Sequence, residues 1–273
     1  KLKLITVVGT RPEIIRLSRS INSFDKFFDH ILVHTNQNYD KNLKDVFFKD
    51  LKIRKPDYTF KHKNLDIYQI MSNNFIEIEK IIKKEKPDAF LILGDTNSSL
   101  TSYVAKRNKI PIFHVEAGNR CFDYNVPEEI NRKIVDHISD VNIVYSSFAK
   151  QNLINEGISN DNIIILGSPL YEVINYYKNK ISVQKILNKY KVKRNNFILI
   201  SFHREENLTN KNNIEGFKKI LDYLTKTFQT HLLISTHPRS KQYLSENISK
   251  NLKNISFLNP FSFTEYLALQ INS

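Results

Sequence analysis

The chain has 273 residues, of which 41% are hydrophobic, and a formal net charge of +13. This length fits two domains of ordinary size, and the apolar content is sufficient for buried cores. We find neither an apolar run of about 18 residues nor a charged-then-apolar leader, so we predict no membrane span and a cytoplasmic location. The single cysteine, Cys121, excludes an internal disulfide framework and a Cys-x-x-Cys zinc site, and we predict no metal.

The positive charge is spread along predicted helices, for example at Lys83, Lys84, Lys218 and Lys219, rather than interleaved with aromatic residues in one stripe. This pattern favours a solvated lysine-rich surface over nucleic-acid binding. A positive field would still attract a polyanionic small molecule such as a nucleotide diphosphate.

Short apolar runs alternate with amphipathic stretches over the first part of the chain. The predicted strands are 4–8, 31–34, 89–93, 110–115, 142–145 and 163–166, and helices begin near residues 13, 67, 98, 128 and 147, the last one ending at Gly157. This alternation indicates βαβ units and a parallel sheet. Gly167-Ser168-Pro169 then interrupts it, so we predict one domain over 1–168 and a second over 169–273.

The second domain begins with a polar stretch, rich in tyrosine and lysine, that continues to about residue 196. Strands are then predicted at 197–201, 231–235 and 255–258, with helices at 214–228, 241–251 and 263–269. A doubly wound domain has about five or six strands, so three strands predict an incomplete second domain.

The first predicted strand ends in Gly9-Thr10-Arg11-Pro12-Glu13. Proline suits the first turn of a helix, and the free amides of that turn, next to Arg11 and Arg16, predict an anion site. A simple pair between Arg11 and Glu13 is the alternative. The chain lacks the Gly-x-Gly-x-x-Gly fingerprint, so we predict that it binds no NAD.

Acidic side chains follow two further strands at the edge where parallel strands place their ligands. Asp95 leaves one strand, and Glu116 ends the next in a segment, 114–132, crowded with charged residues. Glu128 and Arg132 lie four apart on the following helix and so share a face. Three carboxylates beside arginines suit acid and base chemistry. Two structural alternatives remain. Asp95 could only cap the helix that follows it, and Glu128 could only form a surface pair with Arg132.

Two strands of the second domain also end in cationic residues. His203 and Arg204 follow the first of these strands, where they would neutralise a diphosphate. His237 ends the next strand in the same way, with a packed loop histidine as the alternative.

Five motifs resemble, in order, those of the non-hydrolysing UDP-N-acetylglucosamine 2-epimerases. They are GTRPE at 9–13, GDT at 94–96, HVEAG at 114–118, PEEINR at 127–132 and HREEN at 203–207. The resemblance implies a GT-B-like α/β fold with two Rossmann-like domains, a UDP-sugar substrate, no redox cofactor or metal, and a homodimer. It also implies a place in surface polysaccharide synthesis.

The family interconverts UDP-N-acetylglucosamine and UDP-N-acetylmannosamine by loss of the C2 proton, anti elimination of UDP and re-addition of UDP. The resemblance assigns the acid and base roles to Asp95, Glu116 and Glu128. It places Arg11, Arg16, Arg132 and His203 against the diphosphate, and we count His203 with the catalytic set. Tyr266 roughly matches an apolar or aromatic position near the uracil.

Two departures from the family pattern leave alternatives open. Gly118-Asn119-Arg120 stands where the family has GLR, which is closer to the capsule and O-antigen branch that acts on UDP-2-acetamido-2,6-dideoxy-L-talose. The family's serine- and glycine-rich turn and paired glutamates would lie beyond Leu269, so the chain resembles a truncated member. The alternatives are therefore that 2-epimerase, a GT-B glycosyltransferase, or a UDP-sugar-binding remnant without catalysis. A separate polypeptide supplying the carboxyl-terminal region is a further possible partner.

Overall fold

The computed structural model describes residues 1–37, 47–62, 65–202, 211–236 and 254–273. His203, Arg204 and His237, with the predicted helix at 241–251, lie outside the described residues. The described chain divides into two compact units, Lys1–Val173 and Ile174–Ser273. The predicted boundary at 168/169 stays a prediction.

The sheet of the first unit is entirely parallel in the described ranges. Its strands are β1 (Lys3–Val8), β2 (Asp29–His34), β3 (Tyr58–Thr59), β4 (Ala89–Leu93), β5 (Ile112–Ala117), β6 (Val141–Val144) and β7 (Ile163–Ile165). They lie in the order β3-β2-β1-β4-β5-β6-β7. The predicted alternation of strands and helices in a parallel sheet is confirmed.

Five α-helices lie between these strands in the described ranges, and a sixth follows β7. They are α1 (Arg11–Phe27), α2 (Ile67–Glu85), α3 (Ser102–Arg107), α4 (Pro127–Ile138), α5 (Ser147–Asn155) and α6 (Pro169–Lys178). Ile5, Val7, Phe90, Ile92 and Ile112 alternate along β1, β4 and β5 and form one buried cluster with residues of α2. The apolar runs of the sequence are therefore the central strands, covered by helices as a parallel sheet requires.

In the second unit, the described strands β8 (Phe197–Phe202), β9 (His231–Thr236) and β10 (Ile255–Leu258) form a parallel sheet in the order β10-β9-β8. Its helices are α7 (Val183–Tyr190), α8 (Lys211–Phe228) and α9 (Phe263–Asn272). Phe217 and Leu221 of α8 pack on Leu232 and Ile234 of β9. No helix in the described ranges has the length and apolar character needed to cross a membrane.

Two helices that the sequence analysis did not predict, α6 and α7, form in the polar stretch after residue 168. Val173 and Tyr177 are buried four residues apart on α6, and Leu187 is buried on α7. This apolar spacing is helical, but the many tyrosines and lysines around it conceal it in the sequence.

The ends of α5 follow ordinary capping rules. Ser146, one residue before the expected start, is the N-cap, and its hydroxyl accepts the Ala149 amide at 3.2 Å. Gly157 has a φ of +88° just after the helix, as its predicted position at the helix end requires.

The strand order reverses direction between β1 and β4, which makes this point the topological switch of the sheet. Gly9, directly after β1, lies so close to neighbouring loops that a Cβ atom there would be 1.9 Å from Ser98 Oγ and 2.3 Å from Thr35 Oγ1. The two hydroxyls are themselves 2.7 Å apart. The loops after β1, β2 and β4 are therefore packed together at the switch point.

We predict that Gly9→Ala lowers the free energy of unfolding by about 1–3 kcal/mol, because the added methyl group forces these three loops apart. Urea unfolding followed by circular dichroism measures the change. Gly216→Ala in α8 is the matched control, since a Cβ there meets no atom within 4 Å and alanine favours a helix. Equal stability of Gly9→Ala and the unchanged chain would contradict the packing described here.

Candidate active site

Glu13 joins the loops that follow β1 and β4. Its carboxylate is buried and accepts hydrogen bonds from the amides of Gly9 and Thr10 and from Thr96 Oγ1, the last two at 3.0 and 2.6 Å. Burial raises the pKa of Glu13, although these hydrogen bonds oppose the shift. The carboxylate thereby fixes the start of α1, from which Arg11 and Arg16 project.

Glu116 stands at the end of β5 in a left-handed backbone conformation, with a φ of +71°. The strand register shifts here, between Val115 and Ala117. Such a conformation costs a residue with a side chain about 1–2 kcal/mol, so the surrounding structure has to hold it. The bulge directs the Glu116 carboxylate toward residues of other elements.

Those residues are Arg16, which forms an ion pair with Glu116 Oε2, and Tyr145, whose hydroxyl donates to the same oxygen at 3.4 Å. Asn119 Nδ2 donates to Oε1 at 3.4 Å. Burial raises the pKa of Glu116, the Arg16 charge opposes this, and the nearby charge of Asp95 adds to it. The site thus contains a partly desolvated carboxyl whose proton affinity exceeds that of an ordinary glutamate.

Asp95, directly after β4, is held by Arg132 of α4. The Nε and Nη2 atoms of Arg132 lie 3.0 and 2.6 Å from Asp95 Oδ2. Asn131, the preceding residue of α4, donates to the Asp95 carbonyl oxygen at 3.0 Å. The side chain and the backbone of Asp95 are therefore both fixed by α4.

The acidic partner that Arg132 finds on its own helix is Glu129, at 2.5 Å, and not Glu128. Glu129 is buried and also accepts the amides of Cys121 and Phe122 at 3.0 and 3.2 Å. The Glu128 side chain is exposed and has no hydrogen bond or ion pair with the described part of the chain. The sequence analysis kept a Glu128–Arg132 surface pair as an alternative, and the described part of the chain does not contain this pair.

The structure brings Asp95, Glu116, Arg16 and Arg132 together at the switch point of the first sheet. Arg11 lies near this point, with its guanidinium carbon 5.8 Å from the centre of the Phe47 ring. Tyr266 lies in the second unit, where it packs beside Phe261 in a core cluster. His203, Arg204 and His237 lie outside the described residues.

Sequence reasoning missed two residues of this site, Tyr145 and Glu129. Tyr145 follows β6 at the same edge of the sheet as Glu116, and this position was the available signal. The charged segment 114–132 has a second, buried part. The His114 ring and the Arg120 guanidinium lie beside Asp136, 2.8 and 2.7 Å from its carboxylate oxygens, and are shielded from solvent.

An all-parallel sheet with carboxylates and arginines at its switch point is typical of α/β enzymes that act on phosphate-bearing ligands. The pattern of one such family, described as UDP-N-acetylglucosamine 2-epimerase, matches residues 22–273. The chain belongs to this family of isomerases.

Relatives of known identity agree with this assignment. The UDP-N-acetylglucosamine 2-epimerase of Methanocaldococcus jannaschii is 34% identical over 100% of this chain and 77% of its own length. The UDP-2,3-diacetamido-2,3-dideoxy-D-glucuronate 2-epimerase of Pseudomonas aeruginosa is 30% identical over 98% of this chain and 75% of its own length.

Solved structures confirm the α/β, GT-B-like fold. A UDP-N-acetylglucosamine 2-epimerase from Rickettsia bellii has a TM-score of 0.87 and 45% identity, covering 99% of this chain and 72% of its own. The M. jannaschii enzyme in complex with UDP-GlcNAc and UDP has a TM-score of 0.84 and 35% identity, covering 99% of this chain and 77% of its own. The chain thus spans about three-quarters of the length of these relatives.

We predict that Glu129→Gln lowers the free energy of unfolding at pH 7 by about 2–4 kcal/mol, because it leaves Arg132 without one of its carboxylates. The hydrogen bonds and Arg132 outweigh burial and lower the pKa of Glu129 from 4.5 to about 2. The stabilisation is therefore complete above pH 4.5 and is lost as the pH falls toward 2.

Urea unfolding at several values between pH 7 and pH 3 measures this difference. The gap between the unchanged chain and Glu129→Gln should narrow as the pH falls. Glu128→Gln, one residue away and exposed, is the control and should leave stability unchanged. A gap that is constant with pH would show that the Glu129 charge has no such role.

Proposed function

We propose that this chain is a UDP-N-acetylglucosamine 2-epimerase that interconverts UDP-N-acetylglucosamine and UDP-N-acetylmannosamine. The observation that carries the proposal is the pair of carboxylates, Glu116 and Asp95, on neighbouring strands with an arginine beside each. The M. jannaschii relative, whose structure contains UDP-GlcNAc and UDP, supports the choice of substrate.

In the proposed reaction, one carboxylate removes the C2 proton while the C1–O bond to UDP breaks, and the electron pair forms the C1=C2 double bond of a 2-acetamidoglucal. UDP then returns to C1, and a proton is delivered to the opposite face of C2. The C2 proton is weakly acidic, so the base has to be both close and sufficiently basic. The raised pKa of Glu116 suits it to one of these two proton transfers.

The departing UDP anion needs preorganised positive charge. Arg16 and Arg132 fit this role because each already lies beside a candidate acid or base, and Arg11 starts the helix that carries Arg16. Catalytic roles for Glu128 and His203 and a contact of Tyr266 near the uracil stay predictions of the family resemblance. Substrate contacts for Arg204 and His237 stay predictions from their positions after two strands.

The second candidate is UDP-2-acetamido-2,6-dideoxy-L-talose 2-epimerase. Asn119, the residue that departs from the GLR motif, donates to Glu116 Oε1. A branch-specific side chain therefore contacts a candidate catalytic group. The P. aeruginosa relative, 30% identical to this chain, is named for another UDP-sugar, which supports a second candidate substrate.

The proposal includes a homodimer that serves surface polysaccharide synthesis, which rests on the family resemblance alone, and a cytoplasmic location, which rests on the apolar pattern of the sequence. Light scattering coupled to size-exclusion chromatography measures the oligomeric state.

Proton NMR in D₂O tests the reaction directly. We expect the C2 proton signal of UDP-N-acetylglucosamine to disappear as UDP-N-acetylmannosamine forms. Glu116→Gln and Asp95→Asn should each slow this exchange by about 10²–10⁴-fold, the usual contribution of a general acid or base. Glu77→Gln, which alters a half-buried glutamate of α2 paired with Lys80, should leave the exchange rate unchanged.

Exchange with the L-talose sugar instead would select the second candidate. Binding of UDP without exchange of either sugar would indicate a non-catalytic UDP-sugar-binding protein. Transfer of the sugar to an acceptor would indicate a glycosyltransferase.

A further inference from the structure

Asp136 of α4 is a fully buried carboxylate that takes no part in the proposed chemistry. Its oxygens lie 2.8 Å from His114 Nδ1 and 2.7 Å from Arg120 Nη1, and they accept the Gly118 amide at 3.2 Å. Burial alone would raise the pKa of Asp136, but His114 and Arg120 reverse this and hold it below its usual range. Asp136 is thus a charged group placed inside the protein.

A buried charge network is a weak source of stability, because well-packed apolar side chains of similar volume stabilise a core as well or better. We therefore look for a role of the network other than stability. Its position suggests that it holds Glu116 in place, since His114 precedes Glu116 by two residues and Gly118 follows it by two. Asp136 accordingly contacts the chain on both sides of the left-handed residue.

The same network reaches the second candidate carboxylate. His114 Nε2 lies 2.9 Å from the carbonyl oxygen of Gly94, the residue before Asp95. The Gly94 amide donates to the Val115 carbonyl oxygen at 2.9 Å. The carbonyl group and the amide of Gly94 are therefore both held by β5. This is the strand whose end Asp136 contacts.

We infer that Asp136 is a positioning residue that keeps Glu116, and through His114 the Gly94–Asp95 turn, in reactive geometry. This inference rests on the proposed epimerase function. Asp136 touches neither Glu116 nor Asp95 directly in the described contacts, so it acts through His114 and Gly118.

Glu156 provides a matched control inside the same network. It pairs with Arg120 at 2.8 and 2.5 Å, on the side of Arg120 away from Asp136. Glu156→Gln removes a charge from the network without removing a contact to His114 or Gly118. It should therefore reduce stability while leaving the geometry around Glu116 intact.

The kinetic test compares Asp136→Asn with Glu156→Gln in the epimerase reaction. We expect Asp136→Asn to lower kcat by about 10- to 100-fold with little change in KM, because small displacements of reacting groups cost about this much. Glu156→Gln should retain kcat. If Asp136→Asn and Glu156→Gln have equal melting temperatures and lose kcat equally, Asp136 has only a structural role, and the inference is overturned.

A second readout does not depend on activity. Carbon-13 NMR of labelled glutamate carboxyls, assigned with Glu116→Gln, follows the pKa of Glu116, which faces Arg16, Asp95, Tyr145 and the ring of His114. In Asp136→Asn the loosened turn should admit water, and this pKa should fall toward that of an ordinary glutamate. In Glu156→Gln it should stay raised.

The two readouts separate the possible failures. A pKa of Glu116 that is unchanged in Asp136→Asn would overturn the inference, whether or not the chain is an epimerase. Absence of exchange in the unchanged chain would instead contradict the proposed function. If Asp136→Asn does not fold, His114→Gln removes one of the two contacts beside Glu116 and leaves the Asp136–Arg120 pair. The same loss of kcat is then expected, and retention of kcat would overturn the inference.

Discussion

The left-handed backbone of Glu116 inside a parallel strand is the constraint on which the rest of the site depends. An extended residue at this position would continue the alternation of β5, whereas the bulge brings the carboxylate beside Arg16 and Tyr145. The energetic cost of this conformation, about 1–2 kcal/mol, is small compared with the stabilisation that the contacts of the surrounding loops provide. The contacts on each side of Glu116 therefore determine whether the residue stays in this geometry.

The charged side chains around the end of β5 form two groups that differ in their exposure to solvent. The partly exposed group contains Arg16, Glu116, Asp95 and Arg132, each close enough to the surface to meet a ligand. The buried group centres on Asp136. In the partly exposed group the arginines are already paired with carboxylates, so an anionic ligand that binds them would change the electrostatic surroundings of Glu116 and Asp95 together.

Much of the fold follows from the sequence because a parallel sheet leaves a direct signature. Its strands are continuous apolar runs, and its helices carry periodic apolar faces. The same regularity predicted that Arg11, Asp95 and Glu116 would line one edge of the sheet, since the carboxyl ends of parallel strands share that edge. The helices α6 and α7 were missed because polar and aromatic residues surround their few buried positions.

The sequence pattern does not predict which side chain of opposite charge each charged residue contacts. Glu128 and Glu129 are adjacent in sequence, and only the exact start of α4 decides which one is buried beside Arg132. The spacing rule fits both glutamates, since Arg132 lies four residues after Glu128 and three residues after Glu129. Spacing alone therefore does not show that Glu129, and not Glu128, is the buried partner of Arg132.

The central claim is that the switch point of the first sheet binds the diphosphate and presents the sugar to Glu116 and Asp95. A crystal structure of the chain with UDP-N-acetylglucosamine tests it most directly. The account predicts diphosphate oxygens in hydrogen-bond contact with Arg16, and the sugar C2 within about 3.5 Å of a carboxylate oxygen of Glu116 or Asp95. A diphosphate bound away from Arg16, with C2 facing neither carboxylate, would contradict it.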